Sequence, residues 1–109
     1  MSDPAVLLSI DEGVAVITLN RPDNRNSMTP ELLQAFAEAS ASVRDDDSVR
    51  ALVITGRGNC FSAGADFKSN LQLEAAGTLD HERSYAMYEA FLSVLDIRVP
   101  VIAALNGHA

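Results

Sequence analysis

The chain has 109 residues, 48% of them hydrophobic and 21% charged, a balance that excludes a disordered or low-complexity protein. The 15 acidic and 8 basic residues give a formal net charge of −7, which argues against partners such as nucleic acid or an anionic membrane. One cysteine, Cys60, permits no internal disulfide, and no apolar run approaches the roughly 20 residues of a membrane helix. The N-terminal segment lacks the basic flank of a signal peptide, so we expect a cytoplasmic protein.

Two strands joined as a hairpin are predicted at the N-terminus. Residues Val6–Ile10 and Val14–Leu19 are rich in β-branched and aliphatic side chains, which favour strands. Asp11–Gly13 separates them, and its glycine permits the positive φ that a tight turn needs. The polar residues 20–27 that follow are typical of a loop.

A helix is predicted next, opening at Thr29-Pro30-Glu31. Threonine caps helix N-termini, proline is tolerated in the first turn, and glutamate suits the positive end of the helix dipole. The apolar residues beyond them share one helical face: Leu32, Phe36, Ala39 and Val43. Residues 45–47 are three consecutive aspartates, which suit either a metal site or a solvated loop. Because adjacent carboxylates point in different directions, we predict a solvated loop.

Two short apolar runs, Ala51–Gly56 and Val101–Leu105, predict strands buried in a parallel sheet. Asn106-Gly107 then forms a turn. A long helix is predicted between them over Asp80–Asp96, whereas Leu71–Thr78 is ambiguous. The helix has an apolar face that indicates core packing rather than a ligand pocket: Tyr85, Tyr88, Phe91 or Leu92, and Leu95. Together these elements predict an α/β fold, either as one small domain or as part of a larger one.

The common nucleotide and metal motifs are absent from the sequence. Gly56, Gly58 and Gly64 fail the spacing of a dinucleotide-binding loop, and no phosphate-binding G-K-[ST] motif exists. His81 and His108 have no ligand partners at metal spacing, so we predict no metal. Residue types alone leave a Ser-His-Asp triad open, although no serine lies in a nucleophile-elbow motif.

The segment Asn59–Lys68 leaves a predicted strand and enters a predicted helix start. Its small residues permit a ligand to approach the backbone, and free N–H groups at a helix start stabilise an anion. Such N–H groups form an oxyanion hole without a side chain. The alternative is a glycine turn that only connects a strand to a helix.

The sequence resembles the enoyl-CoA hydratase/isomerase (crotonase) family from Val6 to Ala109. Four blocks carry this resemblance: the hairpin ending in Asn20-Arg21-Pro22 with Asn26, the strand Leu52–Gly56, the segment Phe61-Ser62-Ala63-Gly64-Ala65-Asp66, and the segment Pro100–Ala109. The resemblance implies that residues 1–109 are the N-terminal part of a single crotonase-like domain, a spiral of ββα turns. It also implies homo-trimers or hexamers, an acyl-CoA substrate and no cofactor, since coenzyme A belongs to the substrate.

The resemblance assigns the site residues by position in the family's pattern. The backbone N–H of Ala65 matches the first donor of an oxyanion hole that stabilises a thioester enolate. Arg25 and Lys68 match basic positions, of which the first contacts CoA phosphates in some members; both are otherwise surface cations. The remaining residues match the strip that binds CoA: Phe61, Ala63, Gly64, Asp66 and Phe67. Asp66 is alternatively a helix cap rather than a catalytic residue.

The resemblance covers only the N-terminal part of the family's pattern. The second oxyanion donor and the acid/base glutamates of the hydratases follow the position that matches Ala109, and Glu74, Glu82 and Glu89 do not match them. We therefore expect an enzyme that hydrates 2-enoyl-CoA in fatty-acid or related acyl-CoA metabolism, with isomerisation, hydrolysis or dehalogenation as the alternative reactions of the family. We expect the 109 residues alone to be inactive. The alternative is a truncated fragment that binds CoA weakly or co-assembles with full-length relatives.

Overall fold

A computed structural model describes residues 3–63, 94 and 97–107. Strands β1 (Val6–Asp11) and β2 (Val14–Leu19) form the predicted hairpin, and β1 extends one residue beyond its predicted end. Glu12 and Gly13 have φ values of 51° and 84°, so the two-residue turn has the left-handed backbone that suits a hairpin. Helix α1 (Pro30–Arg44), β3 (Ala51–Gly56) and β4 (Val101–Ala103) follow.

Helix α1 begins and ends as its sequence predicts. Thr29 is the N-cap, and its hydroxyl oxygen accepts a hydrogen bond from the Leu32 amide at 3.1 Å. The predicted apolar face is buried, and Ser40 joins it. The acidic turn that follows is a solvated loop, as predicted: Ser48 donates its hydroxyl and its amide to Asp46, and both bonds lower the pKa of that carboxyl.

The four strands form one sheet in the order β1-β2-β3-β4, antiparallel between β1 and β2 and parallel across β2, β3 and β4. One face of the sheet packs with α1 in a single core. That face carries buried residues in alternate positions of the two central strands: Ala15, Ile17 and Leu19 of β2, and Leu52 and Ile54 of β3. The sheet and α1 thus form two layers that hold the strand ends in place.

The predicted burial of the last two strands is wrong. In β3, Leu52 and Ile54 are buried but Val53 and Thr55 are only half-buried, because α1 covers one face of the sheet. Strand β4 ends at Ala103, not Leu105, and all three of its residues are exposed. Among the described strands β4 pairs only with β3, so it is an edge strand with apolar side chains open to solvent.

Other predictions fall outside the described residues. They concern the helix over Asp80–Asp96 with its apolar face, the ambiguous segment Leu71–Thr78, and the histidines His81 and His108. The described residues contain no helix long and apolar enough to cross a membrane.

Candidate functional site

Three loops meet at one edge of the sheet. Strands β2, β3 and β4 run parallel, so their carboxyl ends lie at the same edge, where open α/β sheets bind ligands. We name the loops by the strand they follow: the β2 loop (residues 20–29), the β3 loop (residues 57–63) and the β4 loop (residues 104–107). The segment assigned to the oxyanion hole begins in the β3 loop.

Asn26 joins the β2 loop to the β3 loop through its buried side chain. Its Nδ2 donates to the carbonyl of Cys60 at 2.9 Å and to that of Arg57 at 3.2 Å. Its Oδ1 accepts from the Arg21 amide at 2.7 Å. The amide therefore uses both donors and an acceptor, as a fully buried amide must to offset its lost hydration.

Two further hydrogen bonds connect the same loops. The Ser62 hydroxyl donates to the main-chain carbonyl of Asn26 at 2.8 Å, and the Ala63 amide donates to the carbonyl of Arg25 at 2.8 Å. These carbonyls become accessible because Arg25 and Asn26 both have left-handed backbones, with φ of 54° and 52°. The Ala63 N–H is thus already paired within the protein.

The β4 loop holds the β3 loop from the other side. Asn106 Nδ2 donates to the carbonyl of Gly58 at 2.7 Å and approaches that of Cys60 at 3.4 Å. The backbone of Gly107 lies so close to the carbonyl of Asn59 that any Cβ at position 107 would overlap it. Glycine is therefore required at this turn for close packing of the two loops.

Three predicted site residues lie in the described part of the chain. Arg25 is exposed at the tip of the β2 loop and, within that part, its guanidinium makes no hydrogen bond or ion pair, so it is available to a phosphate. Ala63 is exposed, whereas Phe61 is half-buried and packs against the core, which anchors the β3 loop. The other predicted site residues lie outside the described residues: Gly64, Ala65, Asp66, Phe67 and Lys68.

The neighbouring arginines of the β2 and β3 loops hold these loops in place. Arg21 pairs with Glu31 at 3.1 Å and also donates to the main-chain carbonyls of three residues: Asp3, Pro4 and Asn20. Arg57 donates to the Asn20 side-chain oxygen at 3.2 Å. Arg21 is thus structural and Arg57 is tied to the β2 loop, which distinguishes both from Arg25.

The sequence did not reveal the side-chain roles of Asn26 and Asn106. The Nδ2 groups of both asparagines donate to main-chain carbonyls 31 or more positions away, and such carbonyls leave no trace in residue types. Two signals marked these asparagines: both lie in loops that follow predicted strands, and both lie in blocks that carry the family resemblance. Among the described residues, no group of three or more His, Cys, Asp or Glu side chains is placed to hold a metal ion.

Known proteins resemble this chain along nearly all of its length. The family model for enoyl-CoA hydratase/isomerase matches residues 9–109. A Mycobacterium tuberculosis protein named "Probable enoyl-CoA hydratase EchA14" is 42% identical over 109 residues, which are 98% of this chain and 41% of that protein. The chain therefore spans about two fifths of the length of this relative.

Solved structures give the same result for the fold. An enoyl-CoA hydratase/isomerase from Mycobacterium paratuberculosis is 35% identical with a TM-score of 0.76, over 96% of this chain and 42% of its own. Another from Xanthobacter autotrophicus is 33% identical with a TM-score of 0.78, over 92% and 38%. The fold is thus the α/β, crotonase-like N-terminal part that the resemblance implied, and the chain belongs to the enoyl-CoA hydratase/isomerase family.

Proposed function

We propose that this chain supplies the first half of an acyl-CoA site in an enzyme that hydrates 2-enoyl-CoA thioesters. The observation that carries the proposal is the β3 loop, which Asn26 and Asn106 hold at the carboxyl edge of the parallel strands. Its last described residue, Ala63, leads through Gly64 to Ala65, whose N–H we assign as an oxyanion donor. Family membership supports the acyl-CoA substrate.

The proposed reaction adds water across the conjugated double bond. A hydroxyl group bonds to the β-carbon while the electron pair of the double bond moves toward the thioester, which becomes an enolate. Backbone N–H groups that point at the developing oxyanion stabilise this enolate because they are fixed in place before the reaction. The α-carbon then takes a proton, so the product is a 3-hydroxyacyl-CoA and no oxidant or further cofactor is consumed.

In this proposal the remaining catalytic groups lie in the part of the family's pattern that follows position 109. We define the completed chain as these 109 residues followed by the part of the Mycobacterium tuberculosis relative beyond the matched segment. The completed chain is expected to convert a short 2-enoyl-CoA to the 3-hydroxyacyl-CoA, measured by loss of the enoyl absorbance and by product mass. A folded completed chain without turnover would refute the proposed reaction.

We further propose that the enzyme to which this chain belongs is cytoplasmic and assembles as a homo-trimer or hexamer.

A second candidate function is supported by the exposed apolar side chains of β4, among them Val101 and Ile102. Here the chain acts without turnover, and it binds CoA weakly or co-assembles with full-length relatives through this strand. Size-exclusion chromatography of this chain mixed with the full-length relative distinguishes the two, because co-elution supports co-assembly and separate elution opposes it.

Arg25→Ala and Lys68→Ala are expected to raise the KM of the completed chain for acyl-CoA more than they lower its kcat. A charge-assisted contact to a phosphate contributes about 1.5–3 kcal/mol, which corresponds to a KM roughly 10-fold or more higher. The exposed guanidinium of Arg25 supports this assignment. Steady-state kinetics of each variant measure both constants.

Arg50→Ala is the matched control. Arg50 is an exposed arginine that precedes the amino end of β3, whereas the proposed site lies at the carboxyl end of that strand. The KM of this variant is expected to equal that of the unaltered completed chain. If neither Arg25→Ala nor Lys68→Ala changes KM relative to Arg50→Ala, the phosphate assignment is wrong.

A further inference from the structure

Asn26 is a fully buried polar residue for which the proposed chemistry has no direct use. None of its surface is exposed, and its side chain makes three hydrogen bonds to main-chain groups, one in the β2 loop and two in the β3 loop. A buried polar group costs stability unless it is paired, so the three hydrogen bonds are what make asparagine acceptable at this position.

The partners of Asn26 lie at both ends of the β3 loop. Its Nδ2 binds the carbonyl of Arg57, where the loop begins, and that of Cys60, which immediately precedes the CoA-binding strip. Its own carbonyl accepts from the Ser62 hydroxyl. One residue therefore fixes the loop at three points just before the chain reaches Gly64 and Ala65.

We propose that Asn26 is a positioning residue, which holds the β3 loop so that the following backbone N–H meets the thioester oxygen. We call the hydrogen bonds of Asn26 to the β3 loop the clamp. The clamp is observed in the structure, whereas its effect on turnover rests on the proposed function. A donor misplaced by about 1 Å forfeits much of its effect on the transition state. Asn26 thus acts on turnover without touching the substrate.

The requirements of the position explain why asparagine fills it. The backbone has φ of 52°, a left-handed conformation that asparagine tolerates better than most residues with a side chain. The side chain must also donate twice and accept once. Glycine keeps the backbone but has no side chain, and aspartate keeps the shape but presents oxygen to two carbonyl oxygens. These two substitutions separate the backbone contribution from the hydrogen bonds.

Hydrogen exchange of the completed chain tests the hydrogen bonds of Asn26 to the β3 loop. The Ala63 amide, which donates to Arg25, is expected to exchange roughly 10-fold or more faster in Asn26→Gly, while the amides of Ile17 and Leu52 keep their protection. Asn24→Ala is the control, since Asn24 is an exposed asparagine of the same loop. Equal exchange of Ala63 in the unaltered chain and Asn26→Gly, or no protection of Ala63 in the unaltered chain, would overturn the proposal.

Kinetics of the completed chain test the catalytic meaning of the clamp. Asn26→Gly is expected to lower kcat about 10-fold or more with a much smaller change in KM, whereas Asn24→Ala leaves both constants unchanged. A folded Asn26→Gly enzyme with normal kcat would refute the positioning role. If the unaltered completed chain shows no turnover, the proposed function fails while the exchange result still decides the clamp.

Asn26→Asp provides a readout that a general loss of stability does not produce. Burial beside two carbonyl oxygens raises the pKa of the introduced carboxyl, and only its protonated form donates a hydrogen bond. The kcat of Asn26→Asp relative to the unaltered enzyme is therefore expected to rise as the pH falls. A ratio that is constant or falls toward acid pH would contradict the proposal. This test decides the proposal even if Asn26→Gly does not fold.

Discussion

Ala65→Pro is expected to lower the kcat of the completed chain by about 10²–10³, because proline removes the backbone N–H that we assign as an oxyanion donor. The loss corresponds to about 2.7–4 kcal/mol of transition-state stabilisation. The side chain at this position matters little provided that it is small, so the effect comes from the backbone. Turnover of a short 2-enoyl-CoA measures it.

Ala65→Ser is the control for this substitution, since serine keeps the N–H and adds only a hydroxyl. It is expected to retain most of the activity. Proline also restricts the conformation of the preceding residue, Gly64, so circular dichroism and thermal melts must show that both variants fold alike. Near-normal turnover by a folded Ala65→Pro enzyme would show that this N–H is not the donor.

The second large effect concerns association of the 109-residue chain by itself. The sheet face opposite α1 carries apolar side chains that remain open, among them Leu7, Val14 and Ile102, the last with 54% of its surface exposed. Among the described strands, β4 also has one unpaired edge, and an apolar edge strand is a template for pairing with another chain. We expect multimers or aggregates, measured by light scattering after size-exclusion chromatography.

Ile102→Lys is expected to shift the chain toward a monomeric mass, because a charge on an edge strand opposes pairing. Gln34→Lys is its control, since it adds the same charge to an exposed position of α1, away from the open face. A monomeric unaltered chain with a sharp cooperative melt would contradict the prediction. So would equal masses for the two lysine variants.

Local sequence patterns predicted the bounds of several strands and of helix α1. Strand β2 and helix α1 have the predicted bounds because a run of β-branched and aliphatic residues, a threonine cap and an apolar helical face all act locally. Strand β4 was predicted as a buried strand over Val101–Leu105, yet it is shorter and exposed. An apolar run shows what a strand can bury but not which element covers it.

The candidate site was less predictable than the fold because its contacts join distant parts of the chain. Small residues indicated the β3 loop, and the family resemblance assigned a role to Ala65. Neither indicated that Asn26 and Asn106 hold this loop from opposite sides through main-chain carbonyls. Bonds of a side chain to a remote backbone are fixed by register and loop geometry, which no local pattern specifies.

We propose that the segment following the β3 loop polarises a thioester carbonyl through a backbone N–H. The most direct measurement is the ¹³C chemical shift of that carbonyl in a labelled, unreactive acyl-CoA bound to the completed chain. Hydrogen bonds that draw electrons toward the oxygen deshield the carbonyl carbon, so we predict a downfield shift on binding that Ala65→Ser keeps and Ala65→Pro reduces. A bound ligand with the chemical shift of free acyl-CoA, or an equal shift with Ala65→Pro, would contradict the claim.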